Sequence, residues 1–387
     1  MTTMLPASAS ISRASVSEPD LVVLSHLRWD WVWQRPQHLI SRLAPGRRTW
    51  FVEQPMPADV SAPTLRHADA GPVRRVWLEV PADGTEFEFA SSNSVDYPEL
   101  LIRLLGDAAV GSDVWVYGPS ALPMAEALRP RLLVYDMMDD VSAFAFGGDA
   151  MAQMQRRALR RADVVFTGGR SLYRTACGVR GADGTHLFPS GVETDHYART
   201  RALRQPRERP VAGYVGVLDE RLDLDLIADL AAKLDDWDIQ LVGPVTKIDP
   251  ADLPQAPNLF YPGMQPYERL PHVMAQFDVA LMPFALNDAT RSISPTKTLE
   301  YLAAGLPVVS TRVPDVVADW GDVVRFGDDG AQFALACTAA RDDCQSTRDE
   351  QVAPRARRHE WDSIAGQMRA LMNAALQREG QAADRLA

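Results

Sequence analysis

The chain has 387 residues, of which 46% are hydrophobic and 24% are charged, and its formal net charge is −11. These values are typical of a globular protein and exclude a largely disordered or collagen-like chain. No apolar run reaches the ~18 residues that a membrane-spanning helix needs, so the sequence also argues against an integral membrane protein. A net acidic charge disfavours nucleic acid as the main partner. The length favours two domains.

Cysteine usage and the N-terminus point to a reducing compartment. The three cysteines lack metal-ligand spacing, so we expect neither a bound metal nor a disulfide framework. Residues 1–19 are rich in Ser and Ala and lack the apolar core of a secretory signal, so we expect a flexible segment. Both features favour a cytoplasmic protein.

Short apolar runs alternate with amphipathic stretches along the first half, as in parallel strands separated by helices. The strand-like runs are 21–25, 48–53, 74–80, 113–118, 131–136 and 162–168. The helical stretches are 38–44, 97–108, 120–128 and 150–162. We therefore expect a doubly wound α/β domain over residues 20–200.

The same alternation restarts in the second half. Its strand-like runs are 210–217, 238–243, 258–263, 278–284, 306–311 and 323–327, and its helical stretches are 224–234, 266–276 and 295–304. We expect a second doubly wound domain over residues 201–355, with the polar, Arg-rich segment 196–210 as the linker. Residues 356–387 should form a helix that packs back on the first domain and then frays. A ligand is expected in the cleft between the domains, at the carboxyl ends of the strands.

The segment ATRSISPTKTLEYLAAGLPVVST (289–311) predicts a short helix followed by a buried strand. Ser294 suits the N-cap and Pro295 suits the first helical position. Lys297 in the first turn opposes the helix dipole, which a bound diphosphate would explain. Glu300 lies one turn further on the same face and could accept hydrogen bonds from ribose hydroxyls. The alternative is a capped surface helix with a Lys–Glu pair.

The stretch from Pro295 to Val309 resembles the donor-site segment of glycosyltransferase family 4, with the pattern P-x-K-x-x-E-Y-L-A-A-G-x-P-V-V. Other stretches resemble motifs of that family in the same order, namely 188–197, 213–216, 259–270 and 278–284. SHLRWDWVWQRPQHLISRLA and VYDMMDDVSAF are similar to segments of bacterial teichuronic-acid and exopolysaccharide glycosyltransferases. The resemblance spans about residues 20–370. It implies the GT-B fold, in which two Rossmann-like domains face each other across a cleft.

The resemblance also implies a donor site on the second domain. Glu300 would bind the ribose of a nucleotide. Lys297 would face the diphosphate together with Ser294 and Thr296. Gly216, in the loop after the first strand of that domain, would lie beside them.

By the same resemblance, Met264, Gln265 and Tyr267 would lie near the nucleobase. Two positions depart from the family pattern. Ser292 stands where most members have a Glu that contacts the donor sugar. Arg221 is the nearest substitute for the Arg and Lys with which the family binds phosphate.

The turn SHLRWDWVWQRPQHL (25–39) carries three tryptophans among Asp, Arg and His side chains. Aromatic rings suit the apolar faces of sugars, and the polar groups suit sugar hydroxyls. In the family this turn lies at the cleft, so the resemblance makes His26, Arg28 and Trp31 candidates for contact with the acceptor or donor sugar. The alternative is that the tryptophans pack in the core or the domain seam.

One aspartate ends the strand-like run 131–136 and two more follow it within four residues. Like charges so close together repel one another, which favours a functional role for them. We expect Asp136 to be catalytic, together with Lys297 and Arg221, and Asp139 to contact sugar. The alternative is a helix N-cap with solvated acids.

Residues 156–180 carry seven Arg and one Asp. Such a basic face could meet anionic lipid on the inner side of a membrane. A solvated helix is the alternative. The loop TGGRS (167–171) could cradle a phosphate.

Together these features predict a glycosyltransferase that moves a sugar from a nucleoside diphosphate sugar to a glycan or lipid-linked acceptor, in cell-surface polysaccharide synthesis. The resemblance implies a retaining, metal-independent reaction without a cofactor, and a UDP-sugar is preferred to a GDP-sugar as donor. Two alternatives stay open. One is a nucleotide-sugar epimerase of related fold, and the other is a non-catalytic relative that binds nucleotide sugar or glycan.

Overall fold

The computed structural model describes residues 18–82, 89, 97–140, 148–287, 290, 293, 295–342, 352 and 354–384. Within these residues the chain forms two mainly parallel sheets, one in each half. Helices connect the strands, as the alternation in the sequence predicts.

The first sheet has the strand order β3-β5-β2-β1-β6-β7-β8-β9, and β4 pairs antiparallel with β5 at one edge. Every residue of its central strands β1, β2, β6, β7 and β8 is buried, so these strands are mainly apolar, with charged residues near the ends of β2, β6 and β7. The strands are β1 Leu21–Ser25, β2 Thr49–Glu53, β3 Met56–Ala58, β4 Thr64–Ala70, β5 Val73–Pro81, β6 Asp113–Val116, β7 Leu132–Met137, β8 Val164–Thr167 and β9 Thr185–Leu187.

Helices cover both faces of this sheet, and separate apolar clusters fill the two layers. The helices of this half are α1 Arg35–Leu43, α2 Tyr97–Leu105, α3 Leu122–Ala127, α4 Gly148–Arg161, α5 Arg170–Arg180 and α6 Thr194–Leu203. Apart from β4, the sheet pairs are parallel, so the carboxyl ends of β1, β6, β7 and β8 share one edge.

The second sheet is entirely parallel, with the order β12-β11-β10-β13-β14-β15. Its strands are β10 Val211–Val215, β11 Asp238–Val242, β12 Leu259–Phe260, β13 Val279–Met282, β14 Val308–Ser310 and β15 Arg325–Phe326. Its helices are α7 Leu224–Lys233, α8 Leu270–Met274, α9 Thr296–Ala303, α10 Pro314–Trp320 and α11 Gly330–Arg341.

The last helix, α12 (Trp361–Asp384), returns to the first sheet. Trp361, Met368 and Met372 are at most 2% exposed and pack in the same cluster as Phe51 and Trp115 of β2 and β6. The core of the first half is therefore completed by the end of the chain.

The segments that pass between the halves run side by side. The Val192 amide donates to the His359 carbonyl at 2.8 Å, and the Thr194 amide donates to Glu360 Oε1 at 3.3 Å. The sequence predicts a polar linker over 196–210, but residues up to Leu203 form helix α6, whose buried face includes Tyr197. Tertiary packing stabilises this helix, and the weakly amphipathic sequence of the stretch gives no sign of it.

Gly213, in the middle of β10, provides a test of packing in the second sheet. A Cβ at this position would lie 2.2 Å from Cε1 of Phe277, whose ring is 1% exposed. We expect Gly213→Ala to lower the free energy of unfolding by about 1–3 kcal/mol in urea denaturation, because the buried ring must shift. Combined with Phe277→Leu, the two losses should be less than additive. Strict additivity would contradict the contact.

Candidate functional site

Two adjoining cavities lie between the sheets, at the carboxyl ends of their strands. The inner cavity has a volume of about 150 Å³ and the outer cavity about 620 Å³. Both are lined by Gly216, Lys297 and Glu300 from the second half and by Val32 and Trp33 from the turn after β1. This is where open α/β sheets bind ligands.

Two glycines let the backbone loops of the second sheet approach each other. A Cβ on Gly216 would lie 2.5 Å from the Tyr214 hydroxyl and 2.9 Å from Lys297 Cε. Gly243 has a φ of +155°, and a Cβ there would lie 1.8 Å from the Gly216 carbonyl oxygen. Glycine is therefore required at both positions for Lys297 to reach the cavities over this loop.

Helix α9 presents Lys297 and Glu300 to both cavities. Lys297 Nζ lies 3.2 Å from Glu300 Oε2, so the i,i+3 pair anticipated as the alternative does form. The Glu300 side chain is 8% exposed and that of Lys297 is 24% exposed. A cation in the first turn opposes the helix dipole, and a carboxylate this deep is costly to desolvate. The pair thus faces the cavities with one positive and one negative group.

The start of α9 differs from the prediction by one residue. Pro295 is itself the N-cap residue, with extended backbone, and the helix begins at Thr296. Thr296 lines the inner cavity. Ser292 and Ser294, both predicted donor contacts, lie outside the described residues.

Arg221 lines the inner cavity and is held by a neighbouring carboxylate. Its Nε lies 2.9 Å from Asp219 Oδ1 and its Nη2 lies 2.7 Å from Asp219 Oδ2. Burial opposes the charge, but the hydrogen bonds to Asp219 outweigh that effect and raise the pKa of Arg221. Arg221 is therefore a cation held in a fixed orientation on the wall of the inner cavity.

Asp136, which ends the run 131–136, and Asp139, which follows it, are placed differently. Asp139 lines the inner cavity, whereas Asp136 is fully buried and lies outside the described linings of both cavities. Arg35 binds Asp136 through Nε at 2.9 Å and Nη2 at 2.8 Å, and its Nη1 donates to the Phe188 carbonyl at 2.9 Å. Burial raises the pKa of Asp136, and Arg35 opposes this. Asp136 reaches the cavity only through Arg35, which lines it.

An aromatic and ionic cluster joins the outer cavity to the crossing segments. Met264, Gln265 and Tyr267, the predicted nucleobase neighbours, all line this cavity. The Tyr267 hydroxyl donates to Glu193 at 2.5 Å, and Arg42 of α1 binds the same carboxylate at 2.7 Å. Tyr267 thereby connects a cavity wall to both halves of the chain.

His38 lies beneath this cluster. The Trp33 indole N–H donates to His38 Nδ1 at 3.1 Å, and the ring stacks on Trp361 with centroids 5.0 Å apart. Burial lowers the pKa of His38 to about 3, against an opposing effect of Glu193. The imidazole is therefore neutral at pH 7, so its 4.0 Å approach to Glu193 is not an ion pair.

The three tryptophans of the turn after β1 have different environments. Trp29 is buried in the core, which agrees with the packing alternative. Trp33 is half-buried and lines both cavities. Trp31 is 45% exposed and lines the outer cavity, which agrees with a ligand contact.

The other two candidates in this turn lie outside the described cavity linings. Arg28 Nη1 donates to Glu53 at 3.2 Å and is thus bound to a structural partner. His26 has a buried Nδ1 without a hydrogen-bond partner in the described structure, and burial lowers its pKa. Neither residue is brought to the ligand space that Trp31 faces.

Sequence reasoning missed Arg35 and Glu53, which shape this wall of the cleft. Glu53 is fully buried and accepts hydrogen bonds from the Trp29 amide at 2.9 Å and from Arg75 Nε at 2.8 Å. The sequence did contain a signal for Glu53. This residue ends the strand-like run RTWFVE, at the same sheet edge as the turn after β1.

The basic segment is partly neutralised. Arg157 and Arg161 both pair with Glu126. The start of α5, where the TGGRS loop could cradle a phosphate, is occupied by Asp315 of α10, whose carboxylate accepts from the Ser171 hydroxyl at 2.9 Å. A carboxylate from the other half therefore takes the position offered to an anion.

Neither a metal cluster nor a membrane span is found in the described ranges. They contain no group of three or more His, Cys, Asp or Glu placed to hold a metal ion. In the same residues, no helix is long and apolar enough to cross a bilayer.

Comparisons with known proteins agree with this geometry. Residues 209–343 match the family model described as Glycosyl transferases group 1, and this segment contains Gly216, Arg221, Lys297 and Glu300. TuaH of Bacillus subtilis (strain 168), described as a teichuronic acid biosynthesis glycosyltransferase, is 28% identical over 279 residues. That alignment covers 65% of this chain and 70% of TuaH.

Solved structures share the whole architecture. Sucrose-phosphate synthase from Thermosynechococcus elongatus superposes with a TM-score of 0.68 at 15% identity, covering 95% of this chain and 100% of that chain. HepE from Anabaena, in complex with UDP and glucose, superposes with a TM-score of 0.65 at 15% identity, covering 92% and 100%. The predicted GT-B fold is confirmed. The chain is a glycosyltransferase of the GT-B type.

The buried Arg35–Asp136 pair of this glycosyltransferase gives one prediction. Asp136→Ala should lower the free energy of unfolding by about 3 kcal/mol or more, because it leaves a buried guanidinium unpaired. The double variant Arg35→Met, Asp136→Leu should recover most of that loss. Urea denaturation measures both. A single variant as stable as the wild type would show that the pair is dispensable.

His38 gives the glycosyltransferase a pH-dependent stability. The unfolded chain binds a proton near pH 6.5 and the folded chain only near pH 3, so stability from this group is lost as pH falls through that window. At pH 5.5 the loss should be about 1.4 kcal/mol. Charged groups facing His38 are Glu193, Arg42 and Lys297.

Urea denaturation at pH 7.5 and 5.5 tests this effect. His38→Asn should lack that part of the decline, whereas His67→Asn, on the exposed part of β4, should retain it. Equal declines in all three proteins would rule out His38 as the source.

Proposed function

We propose that this glycosyltransferase transfers a sugar from a UDP-sugar to a glycan or lipid-linked acceptor with retention of configuration. The observation that carries the proposal is the Lys297–Glu300 pair at the junction of the two cavities. A nucleoside diphosphate is negative at its phosphates and offers hydroxyl donors at its ribose. The two side chains match these two parts.

The diphosphate would lie at the inner end of this junction. Two cations, Lys297 and Arg221, lie on the wall of the inner cavity. The start of α9 supplies backbone N–H groups beside Thr296. Cleavage of the bond between sugar and phosphate leaves charge on the departing diphosphate. Fixed positive groups stabilise that charge without reorganising, because Asp219 already holds Arg221 in place.

The nucleoside would occupy the outer cavity. Glu300 would accept from the ribose hydroxyls, and the base would extend toward Met264 and Gln265. A volume of about 620 Å³ is ample for a nucleoside. The UDP complex of the structurally similar HepE supports uracil as the base.

The donor sugar and the acceptor hydroxyl would meet in the inner cavity, beside Asp139 and Arg35. We propose that the leaving phosphate oxygen takes the proton of the acceptor on the same face of the sugar, a retaining route that needs no separate base. Asp139 would bind sugar hydroxyls. Asp136 would act only by holding Arg35. The similarity to TuaH supports an acceptor in cell-surface polysaccharide synthesis.

Binding of UDP and of uridine, measured by calorimetry, tests the two halves of the site. Lys297→Ala should weaken UDP binding at least ten-fold and leave uridine binding unchanged, because uridine lacks phosphate. Glu300→Ala should weaken both ligands about ten-fold, because each presents ribose hydroxyls. In turnover, Lys297→Ala should lower kcat/KM by roughly 10²–10³-fold.

Lys233→Ala is the matched control, because Lys233 is a helical lysine paired with an acid, Asp229, away from the described cavity linings. It should bind UDP as the wild type does. If the wild type bound neither UDP nor GDP, the nucleotide site would be wrong. If it bound UDP but transferred sugar to no acceptor, the non-catalytic alternative would be favoured.

A further inference from the structure

Trp31 is a large aromatic side chain left uncovered at the outer cavity. It is 45% exposed, and Met264, which lines the same cavity from the second half, is 47% exposed. Both side chains are apolar, and their exposure at one cavity is unfavourable unless a ligand covers them. Trp29, in the same turn, is only 6% exposed and Trp33 is half-buried, so Trp31 is the most exposed of the three tryptophans.

The exposure of Trp31 does not come from a loose turn. Gln37 is fully buried, and its Nε2 donates to the carbonyls of Arg28 at 3.0 Å and Val32 at 3.2 Å, on either side of Trp31. The Trp31 amide donates to the Arg28 carbonyl at 3.4 Å. One buried amide side chain thus fixes the backbone that presents the indole.

The polar anchors determine which part of a nucleotide reaches Trp31. Lys297 and Glu300 line both cavities, so the diphosphate and ribose lie at the junction. Trp31 and Met264 line only the outer cavity. A nucleotide anchored at the junction therefore extends its base, not its sugar, toward these two side chains.

We propose that Trp31 stacks on the nucleobase of the donor from the opposite side of the cleft. This inference rests on the proposed nucleotide site and changes the role of Trp31 from the sugar contact expected from the sequence. Every base has a flat π-face, so the indole supplies affinity for the nucleotide without selecting uracil over guanine. The base is then bound by both halves of the chain.

The test measures UDP affinity by calorimetry and indole fluorescence during the same titration. Trp31→Ala should weaken UDP binding about ten-fold, and Trp31→Phe, which keeps a ring, no more than about three-fold. Bound UDP should quench wild-type fluorescence, and both Trp31 variants should lose most of that quenching. Lys297→Ala should bind more weakly but reach the full quenching at saturation. Leu335→Ala, an exposed apolar residue on α11, should match the wild type in both readouts.

The outcomes separate this inference from the function on which it rests. If the wild type binds UDP and Trp31→Ala binds it within two-fold of the same affinity, stacking on the base is overturned. A raised acceptor KM in that variant would then assign Trp31 to the acceptor. Full quenching in Trp31→Phe would overturn the inference as well, because another tryptophan would be reporting. Absence of any UDP or GDP binding by the wild type would overturn the nucleotide site itself.

Discussion

A lysine at the positive end of a helix, backed by a nearly buried carboxylate, is the arrangement on which the rest of the cleft depends. The dipole of α9 opposes the positive charge of Lys297, and the carboxylate of Glu300 pairs with that charge. The loops after β10 and β11 leave room for this lysine because Gly216 and Gly243 carry no side chain. The second half thus keeps a cation available at a point where helix stability alone would not place one.

Buried carboxylates near strand ends recur on both sides of the cleft, and each orients an arginine. Glu53 ends β2 and binds Arg28 and Arg75. Asp136 in β7 binds Arg35, and Asp219 after β10 binds Arg221. Two of these arginines, Arg35 and Arg221, line the inner cavity. The carboxylates provide rigid support, so the guanidinium groups are already oriented before a ligand arrives.

The sequence was sufficient for the alternating architecture and for the Lys297–Glu300 helix, because both follow from local periodicity and spacing. It placed Asp136 at the right strand end but could not reveal Arg35, which is 101 positions away in the chain and meets it only through the sheet. Likewise, the Trp-rich turn suggested both packing and ligand contact. Only tertiary structure distinguishes Trp29 from Trp31. The two residues lie two positions apart in the same turn, but Trp29 is buried and Trp31 is exposed.

The return of α12 to the first sheet has a consequence for synthesis on the ribosome. The apolar face formed by Phe51, Trp115 and Phe166 is covered in part by Trp361 and Met368, which are translated 174 and 181 residues after the end of the last strand of that sheet at Leu187. During translation, this face stays incompletely covered while the second half emerges and can fold on its own sheet. A newly made chain therefore carries an exposed apolar surface until its final helix is released, and this period is when it is most prone to aggregate or to need a chaperone.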